Sequence, residues 1–249
     1  MGCRIIAHRG SNKVAPQNTL PAFRQAIAEG ADGFETDVHV TRDGELVICH
    51  NYTIDATSDG RGEITSYTLG ELKLFDFGSY FSAEYRGTPL PTVDEFLELV
   101  GPTDAELINI ELKSPRQSES GIVKKTLDAI KAHGLLDRCL ISSFDWHILK
   151  EVKALDPRMR TGFLYPTIDY HASSFVTNPF PIVKHIGADA IHPMSVVVNR
   201  GLVRRAHRLG LMVNVWTVDD PRTVRSLAAM DVDGIITNCP GKVRGYLED

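Results

Sequence analysis

The run Gly33-Phe34-Glu35-Thr36-Asp37-Val38 places two carboxylates two residues apart in an otherwise mainly apolar stretch. As a β-strand, with its two-residue period, it turns Glu35 and Asp37 to one face and Phe34, Thr36 and Val38 to the other. Leu107 to Lys113 alternates in the same way, with Ile108, Ile110 and Leu112 on one side and Asn109, Glu111 and Lys113 on the other. Carboxylates that close repel each other and are costly to bury, so a positive group belongs beside them. Three of them from adjacent strands form an oxygen-rich cluster suited to one hard divalent cation, Mg²⁺ or Ca²⁺, rather than zinc. His8 and His50 each follow a short apolar run, and His8 is followed by Arg9 and Gly10. Imidazoles titrate near neutral pH, so one can take a proton while another gives one, as displacement at phosphorus requires. The other seven histidines, His192 among them, are read as structural hydrogen-bonding groups.

Positioning these side chains requires strands that end together. Short apolar runs recur at Arg4–Ala7, Gly33–Val38, Leu107–Lys113, Cys139–Ser142, Thr161–Tyr165, Ala188–His192, Leu211–Thr217 and Gly234–Thr237. Helical patterns lie between them at Leu20–Glu29, Val93–Val100, Ile122–His133, Trp146–Leu155, Leu202–Leu209 and Pro221–Met230. Alternation of this kind reads as βα units around a parallel sheet. Eight units closing on themselves make a TIM (β/α)8 barrel, an α/β fold of about 250 residues, and the chain has 249. A doubly wound open sheet competes, but no Gly-rich phosphate or dinucleotide loop is present. The barrel accounts for the whole of 1–249 as one domain. An insertion at about 41–91, between the second strand and the second helix, opens with a hairpin-like Thr41-Arg42-Asp43-Gly44 turn. Such insertions usually rise over the C-terminal face, where barrel active sites are built.

Lys and Arg total 27 against 32 Asp and Glu, a net charge of -5, which argues against a nucleic-acid partner bound through a basic surface. No window approaches the roughly eighteen apolar residues of a membrane span, and Met1–Ala7 is too short and polar for a signal peptide. The four cysteines, Cys3, Cys49, Cys139 and Cys239, lack metal-ligand spacing or close pairing, so they read as isolated thiols of a cytoplasmic protein. The pattern assigns no oligomeric state.

His8-Arg9-Gly10, Pro16-Gln17-Asn18-Thr19, Ala22-Phe23, Gly30-Ala31-Asp32, Glu35-Thr36-Asp37-Val38, Thr41-Arg42-Asp43-Gly44 and His50 together closely resemble the opening of the glycerophosphodiester phosphodiesterases, bacterial and cytoplasmic in type. Glu111-Leu112-Lys113, Ser142-Ser143-Phe144, Trp216-Thr217 and Asp233-Gly234-Ile235-Ile236-Thr237 match later motifs of that family, so the resemblance spans essentially the whole chain. The resemblance implies a (β/α)8 barrel that cleaves a small-molecule glycerophosphodiester into sn-glycerol 3-phosphate and an alcohol. It further implies that Glu35, Asp37 and Glu111 bind the metal and that His8 and His50 form the acid/base pair. Arg9 and Lys113 would hold the phosphate, and Trp216 and Phe144 would line the substrate pocket.

Two positions depart from the family pattern: Gln17 stands where Glu is usual and Asn51 where Asp usually follows the second histidine. Each amide removes a negative charge and keeps hydrogen-bonding capacity. Beside the cation, Gln17 would weaken metal affinity; beside His50, Asn51 would bias the imidazole pKa downward. The rival readings are a related phosphodiesterase acting on lysolipids or sugar phosphodiesters, and a catalytically silent phosphodiester-binding barrel.

Overall fold

The computed structural model describes residues 2–113, 121–169, 174–176 and 178–248. Its strands are β1 (Arg4–His8), β2 (Gly33–Val40), β3 (Leu46–Ile48), β4 (Leu107–Leu112), β5 (Cys139–Ser143), β6 (Arg160–Tyr165), β7 (Thr167–Asp169), β8 (Ser174–Val176), β9 (Ala190–Pro193), β10 (Met212–Val215) and β11 (Gly234–Thr237). The α-helices are α1 (Leu20–Ala28), α2 (Leu69–Leu72), α3 (Val93–Val100), α4 (Ile122–Ala132), α5 (Trp146–Leu155), α6 (Phe180–Ile186), α7 (Arg200–Arg208), α8 (Pro221–Ala228) and α9 (Pro240–Glu248).

Eight strands pair in parallel in the order β1-β11-β10-β9-β6-β5-β4-β2, and pairing of β1 with β2 closes them into the expected barrel. Register sets what faces inward. Glu35 lies opposite Asn109 and Asp37 opposite Glu111 on β2 and β4, and His8 lies opposite Glu35 on β1 and β2. Both faces of β2 are buried along its whole length. Its outward Phe34 meets Phe23 of α1 edge-on with ring centroids 6.4 Å apart, and Phe23 in turn packs on Phe96 of α3 at 4.6 Å. Below the site, Ile6, Leu107, Leu140, Ala190 and Ile236 fill the barrel as an apolar plug.

Helices start just beyond the mouth and are held there by side-chain caps. Thr92 and Glu95 form a reciprocal capping box at α3, and Asp145, Asn199 and Asp220 accept the first free N–H groups of α5, α7 and α8. In α3 the buried positions are Val93, Phe96, Leu97 and Val100, the one-sided spacing that lets a helix cover the sheet.

The segment from Thr41 to Pro91 begins as an antiparallel extension of β2, with Val38 opposite Ile48 and Val40 opposite Leu46. It buries a small core of its own, in which Val47, Ile54, Ile64, Leu72, Phe77 and Leu90 pack together. Phe77 therefore belongs to that core, while Tyr80 and Phe81 are exposed. The cysteines are all free thiols, three of them buried. No helix of the described residues is long and apolar enough to cross a membrane.

Candidate active site

The turn after β1 carries unusual backbone. Arg9 and Asn18 occupy the left-handed region at φ 56° and 55°, as does Gly10 at φ 80°, a conformation that costs a non-glycine residue about 1–3 kcal/mol when imposed. A Cβ on Gly10 would lie 2.6 Å from the carbonyl carbon of Ala22, so the glycine is required by space as well as by φ. The bent turn aims the Arg9 N–H at the Glu35 main-chain oxygen (2.9 Å) and at Glu35 Oε2 (3.1 Å). Asn18 donates its main-chain N–H to the Arg9 carbonyl at 3.0 Å and its side-chain amide to Asp37 Oδ2 at 2.8 Å. Strain at this turn thus locks loop and strand together around the two carboxylates.

Glu35, Asp37 and Glu111 are all buried, and one oxygen from each lies within 4.8 Å of the others. Lys113 Nζ sits 2.7 Å from Asp37 Oδ1 and 2.6 Å from Glu111 Oε1, and Arg9 Nε lies 3.2 Å from Asp37 Oδ2 without hydrogen-bond alignment. Three carboxylates therefore face two side-chain cations. The imbalance falls on Glu35, whose carboxyl is pushed well above the ordinary range by burial and then by Asp37 and Glu111. Burial and Asp37 also raise Glu111, against the pull of Lys113. Burial opposes ionisation of Asp37 too, but Lys113 and Arg9 outweigh it and hold that carboxyl low. Lys113 is held protonated despite burial by its two carboxylate partners. A hard oxygen donor set short of one positive charge is what a divalent cation would complete. Asn109 Oδ1, buried with no hydrogen-bond partner, adds another unsatisfied oxygen beside the same cavity. The residues present fit such an ion.

His8, Arg9, Glu35, His50, Glu111 and Lys113 line one cavity of about 170 Å³ at the mouth, and Asp37 lies buried behind them. His8 Nδ1 lies 2.6 Å from Asn238 Oδ1, and its Nε2 lies 3.9 Å from Glu35 Oε2. His50 Nδ1 lies 2.8 Å from Asn51 Oδ1. Burial, reinforced for His8 by Arg9, lowers both imidazoles to about 4. Asn51 does neighbour His50, and its hydrogen bond pulls the His50 pKa upward against a larger burial effect. Gln17 instead accepts through Oε1 from Arg9 Nη1 at 2.7 Å, which orients the guanidinium. Trp216 and Phe144 form the apolar wall, edge to face with centroids 5.5 Å apart, and Trp216 is anchored by its indole N–H to the His192 carbonyl at 2.7 Å.

All the residues nominated from the sequence thus converge on this cavity or its immediate backing. Sequence reasoning passed over Asn18, which braces Asp37, and Asn109, Leu164, Thr217 and Ile236, which also line the cavity. Asn109 was recognisable from its parity with Glu111. Asn238 and Asp219 carried no spacing signal, since Asn238 meets His8 only through closure of the barrel and Asp219 reaches it only through Asn238.

Comparison with known proteins places this geometry in context. Residues 8–242 match the model of the glycerophosphoryl diester phosphodiesterase family. The chain is 37% identical over 236 residues to a glycerophosphodiester phosphodiesterase of Caldanaerobacter subterraneus, covering 95% of this chain and 94% of that one. It is 32% identical to another from Bacillus altitudinis, covering 96% of each. Among solved structures it resembles an Oleispira antarctica phosphodiesterase in complex with the product sn-glycerol-3-phosphate (TM-score 0.88, 27% identity), covering 100% of this chain and 98% of that one. An Agrobacterium tumefaciens glycerophosphodiester phosphodiesterase is similar at TM-score 0.83 and 26% identity, covering 98% and 99%.

Proposed function

The chain belongs to the glycerophosphoryl diester phosphodiesterase family, and from that premise we propose that it hydrolyses water-soluble glycerophosphodiesters to sn-glycerol 3-phosphate and an alcohol by two-histidine, metal-dependent catalysis. The observation that carries this reading is the meeting of two imidazoles, two carboxylates and two cations around one cavity, with the third carboxylate, Asp37, directly behind it.

Arg9 and Lys113 hold the anionic phosphodiester; the guanidinium presents paired donors, and the ammonium a compact charge. His8 and His50 each engage an asparagine oxygen through Nδ1, which leaves Nε2 on each ring to exchange protons. One takes the proton of the attacking group, either the neighbouring glycerol hydroxyl or water, and the other protonates the departing alkoxide. Burial lowers both imidazoles, so one ring enters as the neutral base with Nε2 free; the other takes up a solvent proton on Nε2 as the arriving phosphate anion raises its basicity, and as imidazolium gives that proton to the alkoxide. Trp216 and Phe144 offer an apolar face to the glycerol carbons or the leaving group. Glu35, Asp37 and Glu111 would hold a divalent cation, which when bound would supply Lewis-acid stabilisation of the charge on the phosphoryl group. The free thiols suit a reducing, cytoplasmic setting. The segment at about 41–91 shares residues with the site, His50 above all, so the whole chain works as one catalytic domain.

The test is incubation of the protein with glycerophosphocholine, glycerophosphoethanolamine and related diesters, following glycerol 3-phosphate release with Mg²⁺ or Ca²⁺. Turnover of at least one diester is expected. Binding of these diesters without turnover under either metal would overturn the enzyme reading in favour of a silent phosphodiester-binding barrel.

A further inference from the structure

Asn238 follows β11 and meets His8 at the ring nitrogen opposite the one facing Glu35. Every polar atom of this asparagine is engaged. Its main-chain N–H donates to Asp219 Oδ1 at 2.9 Å and its carbonyl accepts from the Lys13 N–H at 3.2 Å. Its side-chain amide donates from Nδ2 to Asp219 Oδ2 at 2.7 Å, and its Oδ1 receives both Asn12 Nδ2 and His8 Nδ1 at 2.6 Å. Asp219 is itself fixed by the Thr237 hydroxyl, which donates to Oδ1 at 2.9 Å.

The chemistry of this chain has one direction. An ionised carboxylate only accepts, so Asp219 requires the NH₂ end of Asn238 and forces the amide oxygen toward His8. An amide oxygen only accepts as well, so His8 Nδ1 must carry a hydrogen. Asn12 reinforces the same orientation, because its NH₂ spans Asn238 Oδ1 and the His8 carbonyl, the latter at 2.7 Å. We propose that Asp219 and Asn238 are positioning residues for His8, holding its ring as the Nδ1–H tautomer through a carboxylate–amide–imidazole chain so that the proton His8 exchanges travels on Nε2. The inference rests on the reading of His8 as one of the two proton-exchanging groups.

Asp219→Asn tests it. The new amide replaces one accepting oxygen with a donor, Asn238 turns over to satisfy it, and Nδ2 then confronts His8 Nδ1. The expected result is a fall in kcat of at least about tenfold, not exceeding the 10² to 10⁴ that a positioned acid or base supplies, with KM nearly unchanged. The ¹⁵N imidazole spectrum of His8 should lose its Nδ1–H pattern. Combining Asp219→Asn with Asn238→Asp restores the direction of the chain, because the amide introduced at position 219 then donates to a carboxylate at position 238 that accepts from His8. This pair should recover most of the lost rate and the Nδ1–H pattern, which separates positioning from misfolding. Wild-type kcat in Asp219→Asn, or no recovery in the pair, overturns the proposal. His8→Ala is the control: wild-type kcat there would remove the acid/base reading itself, whereas its collapse beside an unaffected Asp219→Asn would remove only the relay.

Discussion

Glu35 carries the least compensation of the three carboxylates. Lys113 serves Asp37 and Glu111, Arg9 serves Asp37, and Glu35 receives a main-chain N–H and an imidazole 3.9 Å away. Glu35→Gln should therefore weaken Mg²⁺ or Ca²⁺ binding, measured by calorimetry, while the metal-free protein melts no lower than wild type because a buried repulsion is removed. An unchanged binding isotherm would refute Glu35 as a ligand. Lys113→Met has the opposite character. It strands Asp37 and Glu111 without their shared counter-charge, and urea unfolding near neutral pH should show a loss of about 3–5 kcal/mol. His8→Ala and His50→Ala should each lower kcat by about 10² to 10⁴, read as single-turnover glycerol 3-phosphate release. At this scale the carboxylates and Lys113 were legible from strand parity. The braces around them were not, because Asn18, Asn238 and Asp219 act across loops whose meeting no local spacing records.

At the scale of elements, the site depends on a turn that only one residue type satisfies. Gly10→Ala sets a Cβ 2.6 Å from backbone of α1 at a φ of 80°. Displacement of the turn moves Arg9 and the Asn18 brace together. The variant should lose about 1–3 kcal/mol in denaturant unfolding and also lose activity at saturating cation; wild-type stability and rate would show that the turn carries no such constraint. The eight barrel strands were readable because a parallel barrel buries both faces of short apolar runs, and the runs are separated by turn and helix signals. Boundaries moved by a residue or two: β9 begins at Ala190 rather than Ala188 because the chain leaves α6 through the left-handed Gly187. α6 escaped notice since seven residues opening on prolines show too little periodicity, and α9 since its buried face rests on Pro240 and Val243 alone. The core beneath 41–91 was foreseen only as a generic need for burial, because its strands and helices are a few residues each.

For the whole molecule, the closed barrel encloses polar groups that have no access to water. His192 is fully buried, pairs with Asn214 at 3.0 Å, and has its pKa lowered by burial to about 3. Between that value and the ordinary imidazole pKa of about 6.5, the unfolded chain takes up a proton that the folded chain refuses. Stability conferred by the neutral ring is complete above this window and declines as pH falls through it, by at most about 1.4 kcal/mol per pH unit. His192→Gln should flatten that acid limb, so the stability gap between wild type and variant narrows from pH 7 to pH 4; a constant gap would contradict the assignment. The net charge of -5 also acquires a location, since Glu35, Asp37 and Glu111 concentrate acidity at one site, where on the proposed reading a bound cation would reverse the local sign and let an acidic protein grip a phosphate. That dependence is tested most directly by glycerol 3-phosphate release from glycerophosphodiesters by chelator-stripped protein as Mg²⁺ or Ca²⁺ is titrated back. Near-zero rate without cation, saturable recovery with it, and a right-shifted titration for Glu35→Gln are expected; full turnover by the stripped protein would rule the cation out of the reaction.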